Sequence, residues 1–156
     1  MLSGIQLQKK DGSLVSSEEG LKGAKRVALY FSAHWCPPCR KFTPLLKDVY
    51  EEVNESEKTL EVIYVSSDKT EEEMTKYHEE DHGDWFRIPF ESANLRESLR
   101  DHFGKKLDTN TNELVRSGIP CLVVLNEDLE TVQAYNGVSE IQSLGAMVVE
   151  MKWLGS

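Results

Sequence analysis

The sequence has no long apolar run and no apolar leader. None of its hydrophobic stretches approaches the ~18–20 residues that span a bilayer, so no membrane-spanning segment is expected. The first ten residues lack the apolar core of a secretory signal. We therefore expect a protein without a membrane partner, placed in the cytoplasm or in both the cytoplasm and the nucleus.

Cysteine is also scarce. Three cysteines among 156 residues are too few, and odd in number, for the disulfide scaffold of a secreted domain. In a reducing compartment, a close pair of cysteines is more often catalytic or metal-binding than structural.

Basic residues are in deficit. Eighteen Lys and Arg against 27 Asp and Glu give a net charge of −9, which argues against binding to the phosphate backbone of a nucleic acid. The length suits one domain, spanning residues 1–156, and we expect a monomer.

The sequence does contain buried strands that alternate with amphipathic helices. Residues 26–32 and 60–66 are apolar on both faces, as in parallel strands covered by helices. Apolar spacings of three and four predict a helix over 37–54, kinked at Pro44. The remaining segments are predicted as a hairpin over 4–15, helices over 71–82, 94–103 and 139–153, a loop over 105–112, and hairpin strands at 122–125 and 131–135. These elements predict an α/β sandwich with a mixed sheet flanked by helices and an N-terminal β-hairpin.

The segment that carries chemistry is Trp35-Cys36-Pro37-Pro38-Cys39-Arg40. Cys36 ends a buried strand, and Pro37 suits the first turn of the following helix. Cys36 would then face free backbone N–H groups and the positive end of the helix dipole, which stabilise a thiolate, the reactive form of cysteine. Cys39 lies one turn further on, near enough for a reversible disulfide.

These positions predict thiol–disulfide exchange. Cys36 would attack a substrate disulfide, and Cys39 would then resolve the mixed disulfide. Trp35 would shield the pair and offer a flat surface to a partner, and Arg40 and Lys41 would add positive charge near the thiolate. The redox-active disulfide Cys36–Cys39 would serve in place of any bound cofactor.

A zinc site is the alternative interpretation of two cysteines at this spacing. Zinc would need two more ligands, usually a second close pair of Cys or His. The remaining candidates are Cys121 and four scattered histidines, at positions 34, 78, 82 and 102. His78 and His82 are four residues apart, but no further ligand near them in sequence completes a unit. The redox interpretation is therefore favoured, and no metal is expected.

The active-site segment resembles that of a known family. The matching run is Phe31-Ser32-Ala33-His34-Trp35-Cys36-Pro37-Pro38-Cys39-Arg40-Lys41-Phe42-Thr43-Pro44, and further matches are Tyr64-Val65-Ser66-Ser67-Asp68, Pro89-Phe90 and Gly118-Ile119-Pro120. Together they resemble the nucleoredoxin/tryparedoxin branch of the thioredoxin superfamily. The resemblance implies a thioredoxin-like three-layer sandwich and protein-disulfide reductase activity. It also implies protein disulfide clients and an upstream electron donor, with a thioredoxin-reductase-like flavoenzyme, glutathione and trypanothione as the candidates.

The resemblance implies roles for residues outside the cysteine pair. Pro120 aligns with the cis-proline that faces the pair in thioredoxin-like proteins, where the preceding backbone, here Ile119, receives substrate. An ordinary proline at the first residue of a strand is the alternative. Pro37 and Pro38 match the residues between the two cysteines in this branch.

Some positions depart from the family pattern. The buried aspartate that thioredoxin carries six residues before its first cysteine is Tyr30 here, so proton transfer at the resolving thiol must involve water or another acid, with Glu72 and Glu73 as candidates. Cys121 stands where threonine is frequent, as a third redox thiol or as a small buried hydrophobe. The predicted loop over 105–112 adds residues beyond the usual length of this branch. The resemblance therefore implies no particular substrate contacts for this loop.

Two other functions remain as alternatives. A redox-dependent partner-binding module with secondary catalysis is one, because nucleoredoxins are associated with holding signalling partners in a redox-dependent way. An exported thiol reductase of the cytochrome-maturation type is the other, but it would need a signal or a membrane anchor.

Overall fold

In the computed structural model, which describes residues 1–155, strands and helices alternate along most of the chain. The strands are β1 (Gln6–Gln8), β2 (Leu14–Ser16), β3 (Arg26–Ser32), β4 (Leu60–Ser66), β5 (Phe86–Arg87), β6 (Lys105–Asp108), β7 (Glu113–Arg116), β8 (Cys121–Leu125) and β9 (Val132–Ala134). The helices are α1 (Ser17–Gly20), α2 (Pro37–Val53), α3 (Glu71–Asp81), α4 (Ala93–Phe103) and α5 (Gly137–Leu144). The predicted α/β class is confirmed.

One mixed sheet runs through the centre, in the strand order β2-β1-β5-β4-β3-β8-β9. Strand β3 pairs parallel with β4 and antiparallel with β8, and β4 pairs parallel with β5. Every residue of β4 and β8 is buried, as expected of strands covered on both faces. The predicted N-terminal hairpin of β1 and β2 joins this sheet through the antiparallel pair of β1 and β5.

Helices cover the sheet on both faces, because successive side chains of a strand point to opposite sides. On one face the sheet packs against α2, α3 and α5 through Ala28, Tyr30, Phe42, Leu46, Val62, Tyr64, Met74, Tyr77, Leu122 and Ile141. On the other face it packs against α4 and the N-terminal segment through Leu7, Leu29, Phe31, Ile63, Val65, Leu99, Phe103, Cys121 and Val123. The three-layer sandwich is therefore confirmed.

Helix α2 begins directly after Cys36, as the sequence predicted. Pro37 and Pro38 occupy its first turn, where the missing N–H of proline costs no intrahelical hydrogen bond. Pro44 lies inside the helix, which continues beyond it. None of the helices within residues 1–155 has both the length and the apolar sequence needed to cross a membrane.

Residues 105–112 do not form the predicted loop. Strands β6 and β7 pair as an antiparallel hairpin that is separate from the main sheet. The Asp108 carboxylate accepts the Asn110 N–H at 2.8 Å at its tip, and Asn112 has a φ of 59°. Both faces of the hairpin are largely exposed, so its sequence lacks the alternation of apolar and polar residues that marks a half-buried strand.

The predicted helix over residues 139–153 is also interrupted. Helix α5 ends before Gly145, whose φ of 59° and ψ of −144° lie outside the helical region. Beyond it, Val149–Trp153 form a π-helical turn. Trp153 is fully buried, and its indole N–H donates to the Glu140 carboxylate at 3.1 Å. The break therefore lets the end of the chain fold back onto α5.

Candidate active site

The loop between β3 and α2 sets the position of Cys36. The Cys36 N–H donates to the Ala33 carbonyl at 3.2 Å, and Cys36 keeps an extended backbone, with φ −98° and ψ 107°. Its Sγ accepts a hydrogen bond from the Cys39 N–H at 3.3 Å. That N–H belongs to the first turn of the helix and has no intrahelical acceptor. The Cys36 side chain therefore caps α2, at the helix N-terminus where the sequence placed it.

The two thiols of the pair differ in exposure. Cys36 is 5% exposed, whereas Cys39 has no exposed surface. Both are free thiols. Burial raises the pKa of the Cys39 thiol to about 12, and the neighbouring Cys36 thiol adds to the rise. Cys36 is thus the more accessible member of the pair, and Cys39 has no exposed surface.

The turn before β8 closes the other side of the pair. The Ile119–Pro120 peptide bond is cis, as the resemblance implied. Ile119 is half-buried and packs against Ala33, Cys36 and Cys39. Its carbonyl oxygen lies 3.8 Å from Cys36 Sγ. The backbone that the resemblance assigned to substrate contact therefore lies beside the more accessible thiol.

Trp35 and the start of α2 form the exposed surface around the thiols. Trp35 is 49% exposed. Its indole N–H donates to the Ser67 carbonyl at 3.1 Å, which restrains the ring. Pro37, Pro38 and Arg40 are exposed as well, and the first turn of α2 carries no acidic residue. The surface beside the pair is therefore apolar and basic.

A buried carboxylate, Asp68, holds this loop in place, and sequence analysis assigned it no role. Its Oδ1 accepts the His34 N–H at 2.7 Å. Its Oδ2 accepts the Ser66 hydroxyl at 2.8 Å and also the Tyr64 hydroxyl. Asp68 therefore ties the loop that carries Trp35 to the end of β4. The signal in the sequence was the match of this segment to the family, which gave no reason for the aspartate.

Replacing Asp68→Ala is expected to lower the free energy of unfolding by about 3 kcal/mol, because three donors in a buried site lose their acceptor. Urea denaturation at neutral pH measures this change. The control is Asp48→Ala, at an exposed position of α2, which should change the free energy of unfolding by no more than about 0.5 kcal/mol. Small and equal changes in the two variants would contradict the role given to Asp68.

Cys121 lies apart from the cysteine pair. Its side chain belongs to the core on the α4 face of the sheet, and the cysteine pair belongs to a separate cluster with Ala33 and Ile119. Its Sγ lies 3.7 Å from the Lys105 carbonyl oxygen, and burial raises the pKa of the thiol. The structure therefore supports the interpretation of Cys121 as a small buried hydrophobe over a third redox thiol.

The two acids considered for proton transfer make no hydrogen bond to the Cys39 thiol within the described residues. Glu72 is exposed. Glu73 belongs to the cap of α3, where its N–H donates to the Thr70 hydroxyl at 3.2 Å. The strongest influences on the pKa of Cys39 include neither acid.

His78 and His82 are fully buried and have protein partners. His78 donates from Nε2 to the Trp85 carbonyl at 2.8 Å and accepts at Nδ1 from Arg87 at 2.7 Å. His82 accepts the Trp85 indole N–H at 2.9 Å. In the part of the chain that the structure describes, no group of three or more His, Cys, Asp or Glu is arranged to hold a metal ion.

Beside Cys39, four buried hydroxyl groups form a continuous series of hydrogen bonds, which we call the hydroxyl chain. Ser32 Oγ lies 2.9 Å from the Tyr77 hydroxyl, which lies 2.6 Å from Thr43 Oγ1. Thr43 Oγ1 in turn lies 2.7 Å from the Tyr30 hydroxyl and donates to the Cys39 carbonyl at 2.9 Å. Sequence analysis singled out Tyr30 but gave the other three no role, because β3, α2 and α3 bring them together only in the fold.

Comparison with known proteins connects this site to a family. The family described as Thioredoxin-like matches residues 23–131, a segment that contains both cysteines of the pair and the cis-proline turn. The chain belongs to the thioredoxin-like family. Its relatives in the thioredoxin superfamily are redox oxidoreductases. The closeness of Cys36 and Cys39 in this thioredoxin-like chain agrees with that chemistry.

Individual relatives place the thioredoxin-like chain in the predicted branch. Nucleoredoxin from Mus musculus is 34% identical over 132 residues, which cover 85% of this chain and 27% of that protein. Thioredoxin from Wuchereria bancrofti is 38% identical, and its crystal structure superposes with a TM-score of 0.76 over 99% of this chain and 96% of that one. Tryparedoxin II complexed with glutathionylspermidine is 27% identical, with a TM-score of 0.75 over 96% and 92%. The resemblance to nucleoredoxins and tryparedoxins is confirmed, although the chain spans only about 27% of the length of the nucleoredoxin.

Proposed function

We propose that this thioredoxin-like protein is a protein-disulfide reductase in which Cys36 attacks the client disulfide and Cys39 releases the client. The arrangement of the pair carries the proposal. Cys36 Sγ lies at the N-terminus of α2 and accepts the Cys39 N–H at 3.3 Å, while Cys39 is buried behind it. A backbone N–H donor and the positive end of a helix dipole both stabilise a thiolate. The Cys36 sulfur therefore has a hydrogen-bond donor already in place, with the second thiol within one helical turn.

In the first step, the Cys36 thiolate attacks one sulfur of the client disulfide. A new S–S bond joins Cys36 to the client, and the second client sulfur leaves as a thiolate that takes a proton from water. The client would approach between the exposed Trp35 ring and the backbone at Ile119, whose carbonyl oxygen lies 3.8 Å from Cys36 Sγ.

In the second step, the Cys39 thiolate attacks the Cys36 sulfur. The Cys36–Cys39 disulfide forms, and the bond between Cys36 and the client breaks. Two electrons have then passed from the cysteine pair to the client disulfide. The pair itself carries these electrons, so the reaction needs no further cofactor, and an upstream dithiol or reductase restores the two thiols.

A groove of about 530 Å³ beside Ile119 and Pro120 is the place that we propose for the client chain. The hairpin of β6 and β7 forms one wall of this groove, through Lys106 and Leu107. The Asn136 side chain accepts a hydrogen bond from the Leu107 N–H at 2.9 Å and donates one to the Leu107 carbonyl at 3.2 Å. These two hydrogen bonds hold the hairpin in position. Lys106 is the only charged residue among the described residues that line the groove, so a client segment with a nearby acidic residue is favoured.

We infer that the clients are proteins and that the electron donor is a separate dithiol or reductase. A small thiol compound fits the donor role as a chemical class, because tryparedoxin II has been solved in complex with glutathionylspermidine. We also propose that the chain acts as a monomer in the cytoplasm, or in the cytoplasm and the nucleus. Its net charge of −9 supports protein partners over nucleic acid.

Replacing Cys39→Ser is expected to trap clients covalently, because the mixed disulfide on Cys36 then has no thiol to resolve it. The measurement is capture of the tagged variant from an extract of the source organism, followed by non-reducing electrophoresis and mass spectrometry. Dithiothreitol should release the captured proteins.

The double variant Cys36→Ser/Cys39→Ser is the matched control and should capture no client covalently. A redox-dependent binding module predicts a different result, in which the single and double variants both retain partners through contacts that denaturant disrupts. That result would contradict the reductase.

A further inference from the structure

The hairpin of β6 and β7 has little apolar packing to hold it against the rest of the protein. Most of its residues are exposed, and its strands are not part of the main sheet. Its position therefore depends on a small number of polar contacts. Because the hairpin forms one wall of the proposed client groove, these contacts determine whether the groove is already formed when a client arrives.

At the base of the hairpin, one backbone carbonyl lacks its usual donor. The Ser117 N–H donates to the Gly104 carbonyl at 2.9 Å, which continues the ladder of β6 and β7 by one residue pair. In a complete antiparallel pair the Gly104 N–H would donate to the Ser117 carbonyl in return. Here the Gly104 N–H closes α4 instead, by donating to the Arg100 carbonyl at 3.0 Å. Ser117 is buried, so its carbonyl needs another donor.

The Arg100 side chain supplies that donor. Its Nη2 donates to the Ser117 carbonyl at 2.6 Å, and its Nη1 donates to the Gly104 carbonyl at 3.0 Å. The guanidinium also lies over the ring of Phe31 on β3, with Cζ 5.7 Å from the ring centroid. One side chain of α4 therefore connects both ends of the hairpin to the strand that leads to the cysteine pair.

Gly104 provides the space for this arrangement. Its φ of −74° lies in the range that any residue adopts, so the backbone conformation does not require glycine. A Cβ at this position would instead overlap the Arg100 guanidinium and the Arg100 carbonyl oxygen. The absence of a side chain at position 104 therefore accommodates the side chain of Arg100.

We propose that Arg100 is a positioning residue that keeps the groove formed for protein clients. Ser117 lies two residues before Ile119, whose carbonyl oxygen lies 3.8 Å from Cys36 Sγ. The Arg100 guanidinium therefore fixes both the hairpin wall and the start of the turn that faces the attacking thiol. The inference rests on the proposed function, because the groove is the place proposed there for the client.

The proposed role distinguishes protein clients from small disulfides. A protein segment has to lie along the groove, whereas a small disulfide needs only the accessible edge of Cys36 Sγ. Without Arg100 the Ser117 carbonyl loses its donor, and the hairpin can move away from the turn. Only the molecules that still hold the groove in place then bind a protein client, and the apparent affinity falls with their fraction.

The test compares the rate constants with which the reduced protein reacts with two disulfides. Insulin is the protein client, followed by chromatography of acid-quenched samples, and dithiodipyridine is the small uncharged disulfide, followed by the absorbance of thiopyridone. We expect Arg100→Gln to lower the rate constant with insulin about tenfold, as when about a tenth of the molecules hold the groove in place. The rate constant with dithiodipyridine should stay within about twofold of the wild-type value.

Arg100→Lys separates the shape of the side chain from its charge. Lysine keeps the positive charge but lacks the planar fork that reaches two carbonyls at once. This variant should therefore also react more slowly with insulin, by a smaller factor, and not with dithiodipyridine. It is the milder substitution, and it carries the same comparison if Arg100→Gln does not fold.

Arg116→Gln is the matched control, because it removes a positive charge from the same hairpin. Arg116 does not line the groove, and its guanidinium pairs with the Asp101 carboxylate at 3.0 Å, with both side chains 62% exposed. Exposed ion pairs contribute little, so both rate constants should stay within about twofold of the wild-type values.

Three results would overturn the role of Arg100: an unchanged rate with insulin in its folded variants, equal falls with the two disulfides, or an equal loss in Arg116→Gln. A wild-type protein that reacts with dithiodipyridine but does not reduce insulin would overturn the proposed function instead.

Discussion

The Cys36→Ser variant is expected to lose its reduction of insulin disulfides completely, so that only the rate of the added dithiothreitol remains. Serine cannot form the mixed disulfide with which the exchange begins. Neither remaining cysteine can take over the attack, because Cys39 has no exposed surface and Cys121 packs into the core on the α4 face. The precipitation of the insulin chains, followed by turbidity, measures the rate.

Cys121→Ser is the matched control, since it makes the same exchange of sulfur for oxygen at a buried cysteine. This variant should keep the wild-type rate within about twofold, because the buried Cys121 thiol packs into the core and the exchange alters only one atom of the groove that Cys121 lines. Substantial activity in Cys36→Ser, or an equally large loss in Cys121→Ser, would contradict the assignment of the attacking thiol.

The free energy of unfolding is expected to fall steeply as the pH drops below about 6.5, because two buried histidines resist protonation in the folded state. Burial lowers the pKa of His78 to about 3, with the Arg87 charge adding to the effect, and burial holds the pKa of His82 well below 6.5. In the unfolded chain both take up protons near pH 6.5. Between pH 6.5 and the lowered pKa values, the unfolded state therefore binds more protons than the folded state. Lowering the pH in this range favours the unfolded state.

The size of this effect rivals the stability of a whole domain. Each histidine lowers the free energy of unfolding by about 1.4 kcal/mol per pH unit, so the pair contributes roughly 5 kcal/mol between about pH 8 and about pH 4.5. Typical domains are stable by only ~5–15 kcal/mol. Glu61 acts in the opposite sense, because burial raises its pKa in the folded state and the folded protein then takes up that proton first. One carboxyl offsets only part of the contribution of two histidines.

Urea denaturation at a series of pH values measures the slope. His78→Gln keeps a side chain that donates and accepts hydrogen bonds but cannot titrate, so the slope should fall to about half of the wild-type value. His102→Gln, at an exposed position of α4, should leave the slope unchanged. A wild-type free energy of unfolding that stays constant from about pH 7 to about pH 4.5, or an unchanged slope in His78→Gln, would disprove this prediction.

The central elements of the fold could be predicted because their local patterns are strong. Strands β3 and β4 are continuous apolar runs, and α2 shows apolar residues at spacings of three and four. The hairpin of β6 and β7 was missed because solvent covers most of both its faces. Strand β5 has two residues, too few for any period to show. The predicted C-terminal helix is interrupted at Gly145, because the residues up to Trp153 fold back onto α5.

The residues of the candidate site also fall into two groups, those that a local sequence pattern marks and those that only the fold brings together. Sequence analysis identified the cysteine pair and the cis-proline because their features are local or match a family motif. Ser32, Thr43 and Asp68 stand in the matching segments but were given no role, and Tyr77 was not singled out. Each of these is an ordinary polar residue within its own element. Ser32 and Tyr77 are 45 residues apart, and Asp68 reaches the His34 backbone across 34 residues.

The sequence by itself therefore determined which atoms we propose to react. A cysteine at a strand end, followed by Pro37 and by Cys39 one turn later, is enough to place Cys36 at a helix N-terminus. The tertiary structure decided which groups surround those atoms. Packing of α2 and α3 on the sheet removes Cys39 from water and brings buried hydroxyl groups close to it. Contacts between residues that lie far apart in the sequence leave no periodic pattern from which they could be predicted.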